Sequence, residues 1–248
     1  MKDLDVHKKL AVLIDADNAQ YAKVKAILDE LSAHGHIVIK RAYGDWSSDN
    51  LKNWKQSLNE LAIQPIQQFA YTTGKNSTDA SMIIDAMDML YSGKFDAFAL
   101  VSSDSDFTKL ASRLRESEKF VFGVGEKKTP VAFRNACDDF IYTENLETSV
   151  PSEKAQKKPA KTEDPAITEL VQILTKAWEQ YQEDDGWANL SAAGSFVKRA
   201  KPDFDPRTYG VTKFVELVNK LSRFFDVNKE KRNGANPIVM YRVKTPSK

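Results

Sequence analysis

The chain has 248 residues, 42% of them hydrophobic and 29% charged, with a formal net charge of +1. That balance fits a globular protein of one or two domains and excludes a fibrous or wholly disordered chain. Cys137 is the only cysteine, which excludes an intramolecular disulfide and a thiolate zinc site. The longest apolar runs, such as Leu10 to Ile14, are far too short to cross a bilayer, and Asp3, Asp5, Lys8 and Lys9 interrupt any signal-peptide core. A cytoplasmic location is the expectation.

Taken in chain order, the first part alternates strand and helix. Leu10–Ile14 reads as a buried strand. Ala19–His34 reads as a helix with Tyr21, Val24, Ile27, Leu28 and Leu31 at helical spacing, ended by Gly35. Ile37–Tyr43 is a strand, Asn50–Leu61 a helix, and Ile63–Tyr71 extended. Thr78–Tyr91 is a helix, Phe98–Val101 a strand, Phe107–Arg115 a helix, Phe120–Val124 a strand, Pro130–Ala136 a short helix and Phe140–Tyr142 a last strand. Strands that are mostly apolar on both faces and alternate with helices predict a parallel sheet covered on both sides, with ligands beyond the carboxyl ends of the strands. Cys137, among Phe133, Ala136 and Phe140, reads as a small buried thiol.

Residues 151–165 contain three prolines and no Val, Ile, Leu or aromatic residue. Such a segment has too little apolar surface to offset its ordering entropy. The expected organisation is a first domain over 1–146, a flexible linker over 147–165 and a second domain over 166–248. The charge balance is −3 up to residue 145 and +4 beyond it, a weak bias toward a polyanionic partner in the second part. There, Ile167–Tyr181, Leu190–Lys201 and Thr208–Arg223 read as helices, followed by extended runs at Phe224–Asn228 and Pro237–Val243. Three helices and a hairpin with a basic tip predict a small winged helix-turn-helix. Its candidate phosphate contacts are Lys198, Arg199, Lys201, Arg207, Lys213 and, foremost, the tip residues Lys229, Lys231 and Arg232.

Five aspartates from three segments carry the chemistry. Asp15 and Asp17 end the first strand, Asp104 and Asp106 follow the strand at Phe98–Val101, and Asp79 opens a helix. Met82, Ile83, Ala86, Met87 and Leu90 put Asp79 on the core-facing stripe of that helix, whereas Asp85 and Asp88 are expected to face solvent. Singly, each acid has a plain structural reading as a helix cap or a turn. Together on one sheet edge they would repel each other unless a cation joined them. The ligands are oxygens, and His7, His34 and His36 lie at a terminus and around a helix end, so the chemistry favours a hard divalent cation such as Mg²⁺ over zinc. Arg41, Tyr43 and Trp46 follow the second strand on that edge and could grip a single-stranded polyanion by charge and stacking, with a core anchor as the alternative for Trp46.

Asp15-Ala16-Asp17-Asn18 after a strand, Lys75 to Asp79 opening a helix, and Ser103-Asp104-Ser105-Asp106-Phe107 after another strand resemble the NYN domain of the PIN-like nuclease group, in its bacterial LabA-like branch. The resemblance implies a PIN-like α/β fold and a Mg²⁺- or Mn²⁺-dependent single-strand ribonuclease. It maps Asp15 with Asn18, then Asp79, then Asp104 with Asp106, and a late Asp138, onto the family's motif. It makes Asp15, Asp79, Asp104 and Asp106 the metal set. Asn18 is expected to orient a phosphate or water, and Lys75 to stabilise charge on the phosphate. Asp17 has no position in the pattern. Phe196, the run Lys201 to Gly210, Phe214 and Leu217 resemble the LOTUS, or OST-HTH, domain, which implies RNA or a partner protein such as a helicase.

Two rival expectations stand beside this. Asp15 and Asp17 have the spacing of a haloacid-dehalogenase-type phosphatase, with Lys75 as its phosphate lysine. A non-catalytic RNA-binding adaptor would keep the fold without using the acids.

Overall fold

The computed structural model describes residues 9–68, 77–146, 165–230 and 238–244. The chain divides into two compact units, Met1–Pro151 and Ser152–Lys248. The proposed linker over 147–165 lies outside the described residues except for Pro165, which opens the first helix of the second unit, a position where its missing N–H costs nothing.

The first unit is built on strands β1 (Lys9–Asp15), β2 (His36–Gly44), β3 (Gln64–Gln67), β4 (Ala97–Val101), β5 (Phe120–Gly125) and β6 (Asp139–Tyr142). They form one parallel sheet in the order β3-β2-β1-β4-β5-β6. The helices are α1 (Val24–Ser32), α2 (Trp54–Glu60), α3 (Ser77–Tyr91), α4 (Thr108–Glu116) and α5 (Val131–Ala136). The expected α/β fold, a parallel sheet with helices on both faces, is the fold observed.

Side chains alternate across a strand, and that parity sorts the core. Leu10, Val12 and Ile14 of β1 pack with Val24, Ile27 and Leu31 of α1 and Trp54 of α2. Ala11 and Leu13 face the other way, onto Met82 and Ala86 of α3, Leu110 and Leu114 of α4 and Phe133 of α5. Asp15 therefore continues the α3 side of β1. In β4, Phe98 and Leu100 lie on that same side, and Ser102 continues their parity.

Several helices begin later than their periodicity predicts. Short 3-10 turns at Tyr21–Lys23, Asp49–Leu51 and Ser105–Phe107 precede α1, α2 and α4. Cys137 is fully buried, donates to Phe133 O at 3.3 Å, and its thiol is pushed well up by burial, as an inert structural thiol should be.

The second unit comprises α6 (Pro165–Tyr181), β7 (Ala188–Asn189), α7 (Leu190–Ala200), α8 (Phe214–Lys220), β8 (Phe225–Glu230) and β9 (Ile238–Val243). The strands form an antiparallel sheet in the order β7-β9-β8, and β7 was not foreseen. The expected helix over Thr208–Arg223 is broken. Pro206–Tyr209 forms a 3-10 turn, and Gly210 at φ 71° turns the chain before α8, a left-handed position suited to glycine. The core joins Leu170, Leu174, Val197, Phe204, Leu217, Phe225 and Tyr241.

Candidate metal centre

Two strand ends and one helix start meet at the carboxyl edge of the first sheet. β1 and β4 are neighbours, but the chain leaves β1 for β2 on one side and returns to β4 on the other. Their carboxyl ends flank the crevice where open α/β sheets bind ligands. Asp15 closes β1, Asp104 and Asp106 follow β4, and Asp79 lies in the first turn of α3. Carboxylate oxygens of Asp79, Asp104 and Asp106 all lie within 4.8 Å of one another.

Asp15 is the buried member, 1% exposed. Its Oδ2 accepts the Asn18 amide at 2.7 Å and the Ser102 hydroxyl at 2.8 Å. Both donors serve the same oxygen, and the buried Oδ1 has no partner. An unpaired buried carboxylate oxygen costs several kcal/mol on the order of magnitude, so it signals an absent partner. Burial raises the Asp15 pKa, opposed by its bonds to Asn18 and Ser102.

Asp79 is raised to about 6, first by burial and then by the charges of Asp15, Asp104, Asp106 and Asp17. The α3 dipole favours an anion at this end, yet burial and like charge outweigh it. Carboxylates within 4.8 Å of one another repel by at least about 1 kcal/mol even in a water-like medium. Among the described residues no cationic side chain forms an ion pair with Asp15, Asp79 or Asp104.

Ser102 was not singled out from the sequence, though its parity with Phe98 and Leu100 marks it as a polar group on a buried face. It is 2% exposed and also accepts the Asp104 amide at 3.0 Å. It thus couples the β1 acid to the loop after β4. Asp104 caps the 3-10 turn by accepting the Asp106 amide on Oδ1 at 2.9 Å, so the capping reading and the clustering both hold for it. Gly125 lies beneath: a Cβ there would sit 2.7 Å from Ser102 O and from Thr129 Oγ1, and only glycine allows β5 to come this close.

The other residues singled out from the sequence take the following places. Asn18 places its amide nitrogen on Asp15, so it orients that carboxylate. Asp138 stands at the amino edge of the sheet, away from the cluster, where it accepts the Val121 amide at 2.9 Å and pairs with Arg115 at 3.2 Å. Arg41 lies within β2, not after it, and its Nη1 donates to both oxygens of Asp85 at 2.6 and 2.7 Å. The buried Tyr43 also donates to Asp85, so Asp85 is not a solvent-facing acid. Trp46 packs edge-on to Trp54 at 6.1 Å and donates to Ile66 O at 3.0 Å, the role of a core anchor. In the second unit Lys201 pairs with Glu169, Arg207 with Asp205, and Arg199 donates to Tyr181. Lys229 is exposed on β8, while Lys75, Lys231 and Arg232 lie outside the described residues.

A family model for the NYN domain matches residues 9–147. The chain belongs to the NYN domain family. Its first unit is thus a PIN-like nuclease fold. A model for the OST-HTH/LOTUS domain matches residues 164–236, so the second unit is of a type that binds RNA or proteins. A similar curated protein, the uncharacterized protein MJ0482 of Methanocaldococcus jannaschii, is 29% identical over 156 residues. That match covers 60% of this chain and 61% of that protein's length. Among solved structures, a protein of unknown function, VPA0982 of Vibrio parahaemolyticus, is 19% identical, covers 56% of this chain and 94% of its own, and has a TM-score of 0.47. An uncharacterized protein from locus NE0665 of Nitrosomonas europaea is 29% identical, covers 41% of this chain and 93% of its own, and has a TM-score of 0.31.

The NYN match weakens the phosphatase expectation, and so does Asp15 itself. A nucleophile must reach phosphorus, but this carboxylate is buried with two donors on one oxygen. Among the described residues, no helix is long and apolar enough to cross a membrane.

Proposed function

We propose that this chain is a divalent-metal-dependent ribonuclease that hydrolyses phosphodiester bonds of single-stranded RNA, with its LOTUS unit engaging RNA or a partner protein. One observation carries the reading: Asp79, Asp104 and Asp106 converge within 4.8 Å beside a buried Asp15 oxygen that has no partner. The donor set is all carboxylate oxygen, which fits Mg²⁺ or Mn²⁺ and not a softer metal. Asp79, Asp104 and Asp106 would hold the ion, with Asp15 near enough for its charge to act on Asp79. Once bound, such an ion activates water and offsets charge building on the phosphate.

The protein's own part is positioning. Asn18 and Ser102 fix Asp15 by its Oδ2 and leave the buried Oδ1 without a protein partner. Ser102 also holds the Asp104 backbone, so the β1 and β4 acids move as one unit. Burial and the neighbouring carboxylates raise the metal-free Asp79 pKa to about 6, a shift that a bound cation would offset. Lys75 is proposed to steady the phosphate from the segment before α3. Lys229, with Lys231 and Arg232, is proposed to contact phosphates along bound RNA.

The test is cleavage of a labelled single-stranded RNA oligonucleotide with Mg²⁺ or Mn²⁺, with EDTA, and with Asp104→Asn. Cleavage by the unaltered chain and loss in both other arms is the expected result. Activity that persists in EDTA and in Asp104→Asn sinks the assignment, and tight RNA binding without cleavage favours an adaptor.

A further inference from the structure

Asp17 has no place in the family pattern and is not among the three converging carboxylates, yet it makes a specific long-range bond. It sits exposed on the loop after β1, and its Oδ2 accepts the Thr78 hydroxyl at 2.9 Å across 61 residues of chain. Thr78 immediately precedes Asp79 in the first turn of α3. A hydroxyl at a helix start ordinarily caps its own helix; this one reaches to another segment instead. One hydrogen bond therefore ties the strand end carrying Asp15 to the helix turn carrying Asp79.

The location matters because two effects loosen that turn. The first N–H groups of a helix have no intrahelical partner, so this end frays most readily. Asp79 also faces the carboxylates of Asp104 and Asp106 at close range, and like charges drive it outward. Without a restraint, the turn would have to be ordered at the moment of ion binding, and that ordering would weaken the affinity.

We propose that Asp17 and Thr78 form a clamp that holds the first turn of α3 against the end of β1, so that Asp79 already stands beside Asp104 and Asp106 before an ion arrives. Asp17 is then a positioning residue. The inference rests on the metal-site reading above, and its test separates the two.

The experiment uses the full chain and Mn²⁺ as the probe. Affinity is read by electron paramagnetic resonance of free Mn²⁺. Hydrogen exchange of the Ser81 and Met82 amides, among the first with intrahelical partners, is read without metal. Thr78→Val removes the donor at nearly constant shape, Thr78→Ser retains it, and each is made in unaltered and Asp17→Ala backgrounds. Thr78→Val is expected to weaken Mn²⁺ binding about fivefold and to speed exchange by a similar factor, the value of about one hydrogen bond. Thr78→Ser is expected to stay within about twofold of the unaltered chain, and Thr78→Val to have no further effect once Asp17 is alanine. Unchanged exchange in Thr78→Val, or equal losses in both backgrounds, overturns the clamp. Faster exchange in a chain that binds no Mn²⁺ and cleaves no RNA removes the metal-site reading and refutes the positioning role, leaving only a structural tie.

Discussion

Aspartates in the first unit have two fates, and the contrast separates scaffold from site. Asp138 at the amino edge is bracketed by Arg115 and the Val121 amide, and Asp85 on α3 is held by Arg41 and Tyr43. These carboxylates carry their counter-charge with them. At the carboxyl edge, Asp79, Asp104 and Asp106 crowd one another, and Asp15 keeps a buried oxygen without a partner. A stable fold does not collect like charges for its own benefit. The first group has its counter-charge in the protein, whereas Asp15 Oδ1 has no protein partner and Asp79 faces like charge.

The sharpest way to break this contrast is to substitute one acid from each group. Asp15→Asn is expected to cut RNA cleavage by more than about 100-fold while the chain stays folded, since metal-site groups and their supports act at that scale. Asp138→Ala is expected to lower the melting temperature by removing the Arg115 and Val121 contacts, with cleavage per folded molecule unchanged. Equal activity losses in the two variants would erase the distinction.

Arg41 probes the scaffold side. Arg41→Met leaves Asp85 beside Tyr43 without its cation and is expected to cost about 2 kcal/mol, less than for a fully buried pair because both side chains are partly exposed. KM for RNA should not change; a raised KM with unaltered stability would restore Arg41 as an RNA contact.

Support for Asp15 comes next. Ser102→Ala is expected to weaken Mn²⁺ binding about tenfold, the lower end for groups that orient a metal ligand, and calorimetric titration with Mn²⁺ measures it. An unchanged affinity would make Ser102 a strand-end hydroxyl with no bearing on the site.

The smallest effect is a gain. The Asp79 pKa is raised from 3.8 to about 6 in the folded chain, so folding takes up a proton between those values. The ionised carboxylate therefore opposes folding: the penalty is absent below about pH 4, grows toward pH 6 and is full above it. Allowing for solvent screening, it amounts to about 1 kcal/mol. Metal-free Asp79→Asn is thus expected to melt about 2–4 °C above the unaltered chain near pH 7.5 and level with it near pH 4. Calorimetry checks both points, and a lower melting temperature at the higher pH contradicts the charge account.

Period-two parity and strand-helix alternation made the fold legible. Leu10 to Ile14 and Phe98 to Val101 read as buried strands, each followed by acids, and the parallel sheet then dictates that those acids share an edge. The stripe from Met82 to Leu90 made Asp79 legible in the same way. Local pattern failed where long-range partners decide. It put Arg41 after its strand and Asp85 in solvent because nothing adjacent in sequence announces that the two meet across 44 residues. The family resemblance, not local pattern, mapped Asp138 onto the motif, and Asp138 precedes β6 at the amino end of the parallel sheet.

The sequence by itself determined the strands and helices of the first unit in outline and which acids follow strand ends, because periodicity and apolar runs are local properties of the chain. Only the tertiary structure decided which acids meet. Convergence depends on strand order and on how α3 lies against β1, and both are set by packing between segments far apart in the chain. That packing gave Asp85 and Asp138 their counter-charges and left Asp15 and Asp79 facing like charge.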